Sequence, residues 1–320
     1  MKTINGLTLF TFVLLLLWSC TKKEEEVPKD DEKDTFVVIE HDMNSLETND
    51  EFQYSNLNGG PIASTQLVEA SGLAVGRENS TILWSHNDSG HPNRIFAVGN
   101  KAEDFGYYTI TGAGTRDYED ICIGAGPEEG VNYIYLADIG DNHAQYNFII
   151  IYRFPEPKNV PTEGSGMYAI PEDQIERLEF TYPDGPRDAE TLMIDPWTKD
   201  LYIVSKRDYR SIVYRAPYPQ KTNERTTLEK LAQLPFNWAV GGDISTDGKQ
   251  IAIKDRYKIY YWERTQNESV IEALTKKPQL LPYIIEPQGE SFAWTADGNG
   301  YYTLTEKSGN QIPVLNYYTR

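Results

Sequence analysis

Three glutamates, Glu119, Glu190 and Glu290, occur in matching local contexts, each as the second residue of a short run that reads as the start of a β-strand. The runs are Tyr118-Glu119-Asp120-Ile121-Cys122, Ala189-Glu190-Thr191-Leu192-Met193 and Gly289-Glu290-Ser291-Phe292-Ala293. Two further runs, Ala70-Ser71-Gly72-Leu73-Ala74 and Gly241-Gly242-Asp243-Ile244-Ser245, put Ser71 and Gly242 at the corresponding point. If the five runs face one another, carboxylates converge, and like charges at close range oppose each other's ionisation. A cation relieves the conflict. Calcium takes about six to eight oxygen ligands, so Ser71, Glu119, Glu190 and Glu290 form a suitable set, whereas a set without His, Cys or Met suits zinc or copper poorly. The competing reading is that the glutamates hydrogen-bond strand-end amides and channel waters.

Arg116-Asp117-Tyr118-Glu119 and Arg187-Asp188-Ala189-Glu190 repeat one Arg-Asp-x-Glu pattern. Alternation along a strand places Asp and Glu on the same side. Asp117 and Asp188, with Asp243 beside Gly242, are therefore further ligands or partners that orient the glutamates; a repeated salt bridge uses the same residues. A third cluster follows the second strand of each repeat: His86 and Asp88, Asp138 and Asp141, Lys206 and Arg207, and Lys254. This cluster is read as a ligand-binding face that holds an anionic group beside a cation. Asp138–Asn142 is not an EF-hand, because Ile149 stands where the bidentate Glu belongs. No GxSxG, HExxH or Walker loop is present, so no catalytic residue is assigned.

These residues need a scaffold that brings distant runs together. Aligned residues 71, 119, 190, 242 and 290 are separated by steps of 48, 71, 52 and 48. A step of about 50 residues suits a four-stranded propeller blade. Second strands (ILWSHND, YIYLADIGDN, LYIVSKRD, QIAIKDR, YYTLTEK) and third strands (RIFAV, IIIYRF, SIVYRA, KIYYWER, PVLNYYT) follow each start, with Asp247-Gly248 and Asp297-Gly298 as hairpin turns. The expected fold is an all-β propeller over residues 36–320 with five blades, six being the alternative. The last copy contains only three strands, so an N-terminal strand, placed at Ser64–Glu69, closes the ring. The long step is assigned to a surface loop at Pro155–Asp173.

The chain of 320 residues carries 30 Lys+Arg against 48 Asp+Glu, a net charge of −18. That excess repels phosphate backbones and argues against a nucleic-acid partner. Residues 1–19 combine Lys2 with an apolar run from Leu7 to Trp18, as a signal peptide does. Leu17-Trp18-Ser19-Cys20 resembles the lipobox of bacterial lipoproteins, which implies cleavage before Cys20, its lipidation, and a place in the cell envelope on the outer membrane. An uncleaved anchor is the alternative. Residues 20–35 read as the lipidated Cys and a charged tether, and the acids behind Cys20 resemble the export signal of surface lipoproteins. Cys122, between isoleucines, is read as a core thiol.

The order Ser, Glu, Glu, small residue, Glu around five blades resembles the calcium-dependent apyrases, five-bladed propellers holding one Ca2+ in the channel. The resemblance implies that Ser71, Glu119, Glu190 and Glu290 bind the ion. Gly242 departs from the pattern. The leading expectation is a monomeric, lipid-anchored propeller that binds Ca2+ in its channel and recognises a polar or anionic ligand or protein partner. Metal-dependent phosphoester hydrolysis, a metal-free protein-interaction scaffold and a carbohydrate-binding scaffold are the alternatives.

Changing Cys20→Ala should abolish metabolic labelling with a fatty acid and release the protein from membranes. Continued membrane fractionation of the unlabelled variant would contradict the lipoprotein reading.

Overall fold

The computed structural model describes residues 36–320. The leader, Cys20 and the tether up to residue 35 lie outside the described residues. No described helix is long and apolar enough to cross a membrane. Five sheets form the body, and the first strands of successive sheets contact one another in a closed circuit. It is a five-bladed β-propeller.

Blade 1 contains Ala70–Val75, Ile82–Asn87, Arg94–Gly99 and Asp104–Ile110; blade 2 contains Tyr118–Ala125, Asn132–Asp138, Ile149–Pro155 and Glu176–Thr181. Blade 3 is Ala189–Ile194, Leu201–Ser205, Ile212–Ala216 and Glu229–Gln233, and blade 4 is Gly241–Ile244, Gln250–Lys254, Ile259–Glu263 and Gln279–Leu281. Blade 5 takes Ala293–Trp294, Gly300–Leu304 and Val314–Thr319 from the end of the chain and Gln53–Pro61 from its beginning. The Asp-Gly hairpins occur as expected, with Gly248 at φ +75° and Gly298 at φ +68°.

The strand sequences are almost continuously apolar because each blade is buried on both faces. In blade 2, Ile134 and Leu136 pack toward blade 1, while Tyr133, Tyr135 and Ala137 pack toward blade 3. Five apolar clusters result, one in each space between neighbouring blades. Cys122 is buried in the space between blades 2 and 3.

Two expectations are corrected. The closing strand is Gln53–Pro61, antiparallel to Val314–Thr319, and not Ser64–Glu69. Four strands spaced about 4.8 Å apart put the outer edge about 15 Å from the channel, so several residues must cross the blade between the outer strand and Ala70. A strand at 64–69 would leave no chain for that crossing. The insertion after Pro155 is also not just a loop, since Gly166–Ile170 pairs in parallel with Asp104–Ile110 and covers the edge of blade 1. An uncovered outer strand exposes a row of unpaired backbone groups.

The same device recurs around the rim. Thr226–Thr227 adds to blade 2, Val37–Val38 adds to blade 3, and Thr48 bridges to Leu280 of blade 4. The N-terminal segment thus runs along the outside of blades 3 and 4 before becoming the outer strand of blade 5. Phe52, only 2% exposed, inserts among Tyr261, Trp294 and Tyr301 at ring-centroid distances of 6.3, 5.8 and 5.5 Å.

Truncating this anchor should destabilise the whole ring. Phe52→Ala is expected to cost about 3–5 kcal/mol in urea unfolding, whereas Leu57→Ala, at a side chain 77% exposed, should stay within about 0.5 kcal/mol of wild type. Equal midpoints for the two variants would contradict the closure described here.

Candidate functional site at the channel mouth

Chain direction alternates within a blade, so the starts of first strands and the ends of second strands lie at one mouth of the channel. There the first strands bulge. Pairing with the second strand skips a residue between Ser71 and Leu73, between Tyr118 and Asp120, and between Ala189 and Thr191. The extra residues are Gly72, Glu119 and Glu190, and a bulge re-aims the side chain it carries. Gly72, not Ser71, is therefore the blade 1 counterpart of the two glutamates. Gly72 sits at φ +67°, and a Cβ there would lie 2.7 Å from His86 Nε2 and 2.8 Å from Asp120 Cα. The Ser71 hydroxyl turns elsewhere and donates to the Glu119 carbonyl oxygen at 2.8 Å. Gly242 pairs in register and contributes no side chain.

The carboxylates do converge. Asp88, Asp117 and Glu119 each offer an oxygen within 4.8 Å of the others, as do Glu119, Asp188 and Glu190, and as do Asp88, Glu290 and Glu306. Because Glu119 and Asp88 are shared, the groups form one chain of acids around the mouth. Lys206 sits inside it, donating to Glu190 and lying 3.3 Å from Glu290 Oε1. Arg207 pairs with Asp188 at 2.6 Å and Arg256 approaches Glu290 at 3.7 Å. Seven carboxylates thus face three cations.

Burial, with that imbalance added to it, raises the pKa values of several of these acids. Burial, reinforced by Asp88 and Asp188, pushes Asp117 up to about 7. Burial, with Glu290 and Asp88 nearby, pushes Glu306 up to about 8. Glu119 and Glu190 are held well above the carboxylate range by burial and by neighbouring glutamates, against the opposing pull of Lys206. Burial pushes Lys206 down, but Glu190 and Glu290 outweigh it and hold its ammonium above the ordinary value. The buried oxygens Glu190 Oε2 and Asp141 Oδ1 are among those with no hydrogen-bond partner among the described residues. Native interiors rarely leave such atoms unsatisfied.

The other expected residues play supporting parts. Asp138 accepts from the Asp117 N–H at 2.9 Å and lies 3.5 Å from Arg116 Nε, which fixes the loop carrying Asp117. The Asp141 N–H donates to Asp188 Oδ1 at 2.8 Å. Asp243 is a tie between blades, with Oδ2 accepting from the Trp294 N–H at 3.0 Å, and stands apart from the acid chain. His86 is fully buried and burial lowers its pKa to about 4, so its ring is neutral near pH 7. Lys254 is not on the open face; it is fully buried, donates to the Gly289 carbonyl and faces Glu286 at 4.0 Å.

Trp238 escaped the sequence reading. Its ring lies 5.5 Å from Lys206 Nζ, 5.0 Å from the Arg207 guanidinium and 4.9 Å from that of Arg256. Its backbone is left-handed, at φ +62°, and its N–H donates to the Lys206 carbonyl at 3.0 Å. A single aromatic in a loop between strands gives no periodic signal, and nothing in Pro235-Phe236-Asn237-Trp238 announces that geometry. The mouth therefore carries acids from blades 1, 2, 3 and 5 and a cationic, aromatic patch on blades 3 and 4.

No protein-family profile and no curated protein matches the chain. Among solved structures, a chain of a nidogen–laminin complex is similar at 14% identity and a TM-score of 0.44, covering 75% of this chain and 73% of its own. The Dos1 propeller is similar at 11% identity and a TM-score of 0.36, covering 78% of this chain and 68% of its own. The ring itself rests on the strand pairings given above.

Asp117 and Glu306 have folded-state pKa values above their unfolded ones, so the native state binds more protons between about pH 4 and 8. With chelator present, stability should be greatest at the acid end of that window and fall as pH rises through it. Urea midpoints at pH 5 and pH 8 test this, and Asp117→Asn should flatten the profile. A midpoint that rises toward pH 8 would contradict the raised values.

Proposed function

We propose that the propeller binds a hard divalent cation, calcium, in the mouth of its channel, with Glu119, Glu190 and Asp188 as the nearest ligands and Asp117 and Asp88 beside them. The observation that carries this reading is Glu190. Its carboxylate is 97% removed from solvent by the blades around it (3% exposed), one oxygen is held by Lys206, and the other has no partner among the described residues. Oxygen-only donors with uncompensated negative charge favour calcium over softer metals. Of the ligands implied by the apyrase resemblance, Glu119 and Glu190 lie in one cluster and Glu290 joins it through Asp88, while the Ser71 hydroxyl points away from the acids; Gly242, which departs from that pattern, has no side chain to offer.

Around the ion, Arg207 and Arg256 flank Trp238 and supply forked donors for an anionic ligand. The chain is thus read as a lipid-anchored envelope protein, the anchor resting on Leu17–Cys20, that recognises an anionic group beside bound calcium. One observation favours a second reading, metal-dependent phosphoester hydrolysis. Carboxylates that could activate water, Asp117 and Asp88, share the mouth with the forked cations Arg207 and Arg256 that could take up charge on a phosphoryl group.

Calorimetry should show calcium binding accompanied by proton release, because the ligands must deprotonate. At free calcium about 100 times the dissociation constant, the fold should gain about 2.7 kcal/mol, and Glu190→Gln should remove most of that gain. Lys206→Met should tighten calcium binding, since it deletes the competing internal cation. No heat of binding and a melting curve indifferent to chelator would overturn the metal site. A screen of nucleotides and simple phosphoesters in calcium decides the second reading, with turnover expected to vanish in Asp117→Asn.

A further inference from the structure

The opposite face of the ring carries a different kind of site. The connections between first and second strands of blades 3 and 4, with the segment following the third strand of blade 4, line an open pocket of about 640 Å3. Trp197 forms one wall. Its indole N–H donates to the Asp247 carbonyl at 2.9 Å, and its ring lies 3.9 Å from the Arg264 guanidinium. That guanidinium is gripped by both oxygens of Asp195, each at 2.9 Å, in a pair buried at both ends. Gly248, at φ +75°, completes the seat; a Cβ there would lie 2.4 Å from the indole nitrogen. The indole is immobilised, yet it remains 37% exposed.

The remaining walls are polar, and each cation among the described residues there faces a carboxylate, while Glu272 is tied to a backbone N–H. Lys249 lies 3.4 Å from Asp247, Glu268 is paired with Lys276 at 2.6 Å, and one oxygen of Glu272 accepts from the Ser269 N–H at 2.7 Å. The exposed amides of Gln266 and Asn267 also line the pocket and make no protein hydrogen bond among the described residues, which leaves them open to solvent or a ligand. An amide both donates and accepts, as a hydroxyl does. A rigid aromatic plate with a few convergent polar groups is the composition of a small-molecule site.

We infer that this pocket binds a neutral sugar, with the apolar face of a pyranose ring on Trp197 and its hydroxyls on Gln266 and Asn267. An anion finds no unpaired cation here, and a metal finds no unpaired buried carboxylate. A sugar ring carries both features the walls lack partners for, a flat C–H face and an edge of hydroxyls. The site shares no residue with the acid mouth, and the strand directions put it on the opposite face of the ring.

The test is calorimetric titration of the purified protein, in chelator, with cellohexaose, maltohexaose, xylohexaose and chitohexaose. At least one should bind, and Trp197→Ala should weaken that binding by about tenfold or more. Asn267 occupies the left-handed region at φ +71°, so Asn267→Gly deletes the amide without backbone strain and should weaken binding several-fold. If Trp197→Ala lacks a cooperative melt, Asn267→Gly and Gln266→Ala decide the matter. Absence of binding to all four sugars, wild-type affinity in the folded variants, or binding that requires calcium would each overturn the assignment.

Discussion

The pairing of Gln53–Pro61 with Val314–Thr319 joins the two ends of the described chain, and the rest of the ring depends on it. Each blade carries apolar side chains on both faces, so each requires a neighbour on both sides. Four of the five spaces between blades are filled by sequence-adjacent repeats; the fifth, between blades 5 and 1, exists only when the ring shuts. Pairings across so large a sequence separation form late and at high entropic cost. Stability is consequently shared around the circuit, and a defect such as an emptied Phe52 site affects blades on both sides of it.

Closure also creates the electrostatic problem at the mouth. Two ionised carboxylates about 5 Å apart repel by about 3 kcal/mol at an effective dielectric of about 20, and the acids there form a chain rather than a single pair. A surface ion pair contributes about 1 kcal/mol or less, so exposed arginines such as Arg256 cannot offset this alone. Three devices remain. Burial and neighbouring acids favour proton uptake by Asp117 and Glu306, the Lys206 ammonium is drawn between Glu190 and Glu290, and a divalent cation would take the remaining oxygens. All three compete for the same lone pairs, which links acidity, internal ion pairing and metal affinity in one equilibrium.

Much of this was legible in the sequence because a blade is a local object. The run from Glu190 through Leu201–Ser205 to Ile212–Ala216 contains its own turns and alternation, and its repetition discloses the ring. The acids were found for the same reason, since Glu119, Glu190 and Glu290 recur at one point of the repeat. Ser71 was placed one residue off because a bulge leaves no mark in composition, and only the positive φ of Gly72 reveals which residue is extra. Long-range choices were hidden as well. The short spacing to Ala70 counts against Ser64–Glu69, but nothing local points to Gln53–Pro61 as the closing strand, shows Gly166–Ile170 crossing to blade 1, or reveals that Lys254 turns inward while Lys206 joins the acids.

The path of the N-terminal segment along the rim determines how the molecule bears load. A pull on the chain before Val37 meets the two-residue parallel pairing to blade 3 first, then the single bridge at Thr48, and only afterwards the nine-residue Gln53–Pro61 strand. Those pairings are short, but between them Ile39 is buried in the space between blades 3 and 4 and Arg210 holds Glu40, so freeing the segment costs that burial as well. Blades 3 and 4 keep their own four strands when it leaves. Releasing residues 37–52 would lengthen the lead by some tens of ångströms, at about 3.4 Å per residue, before tension reached the strand that keeps the ring shut.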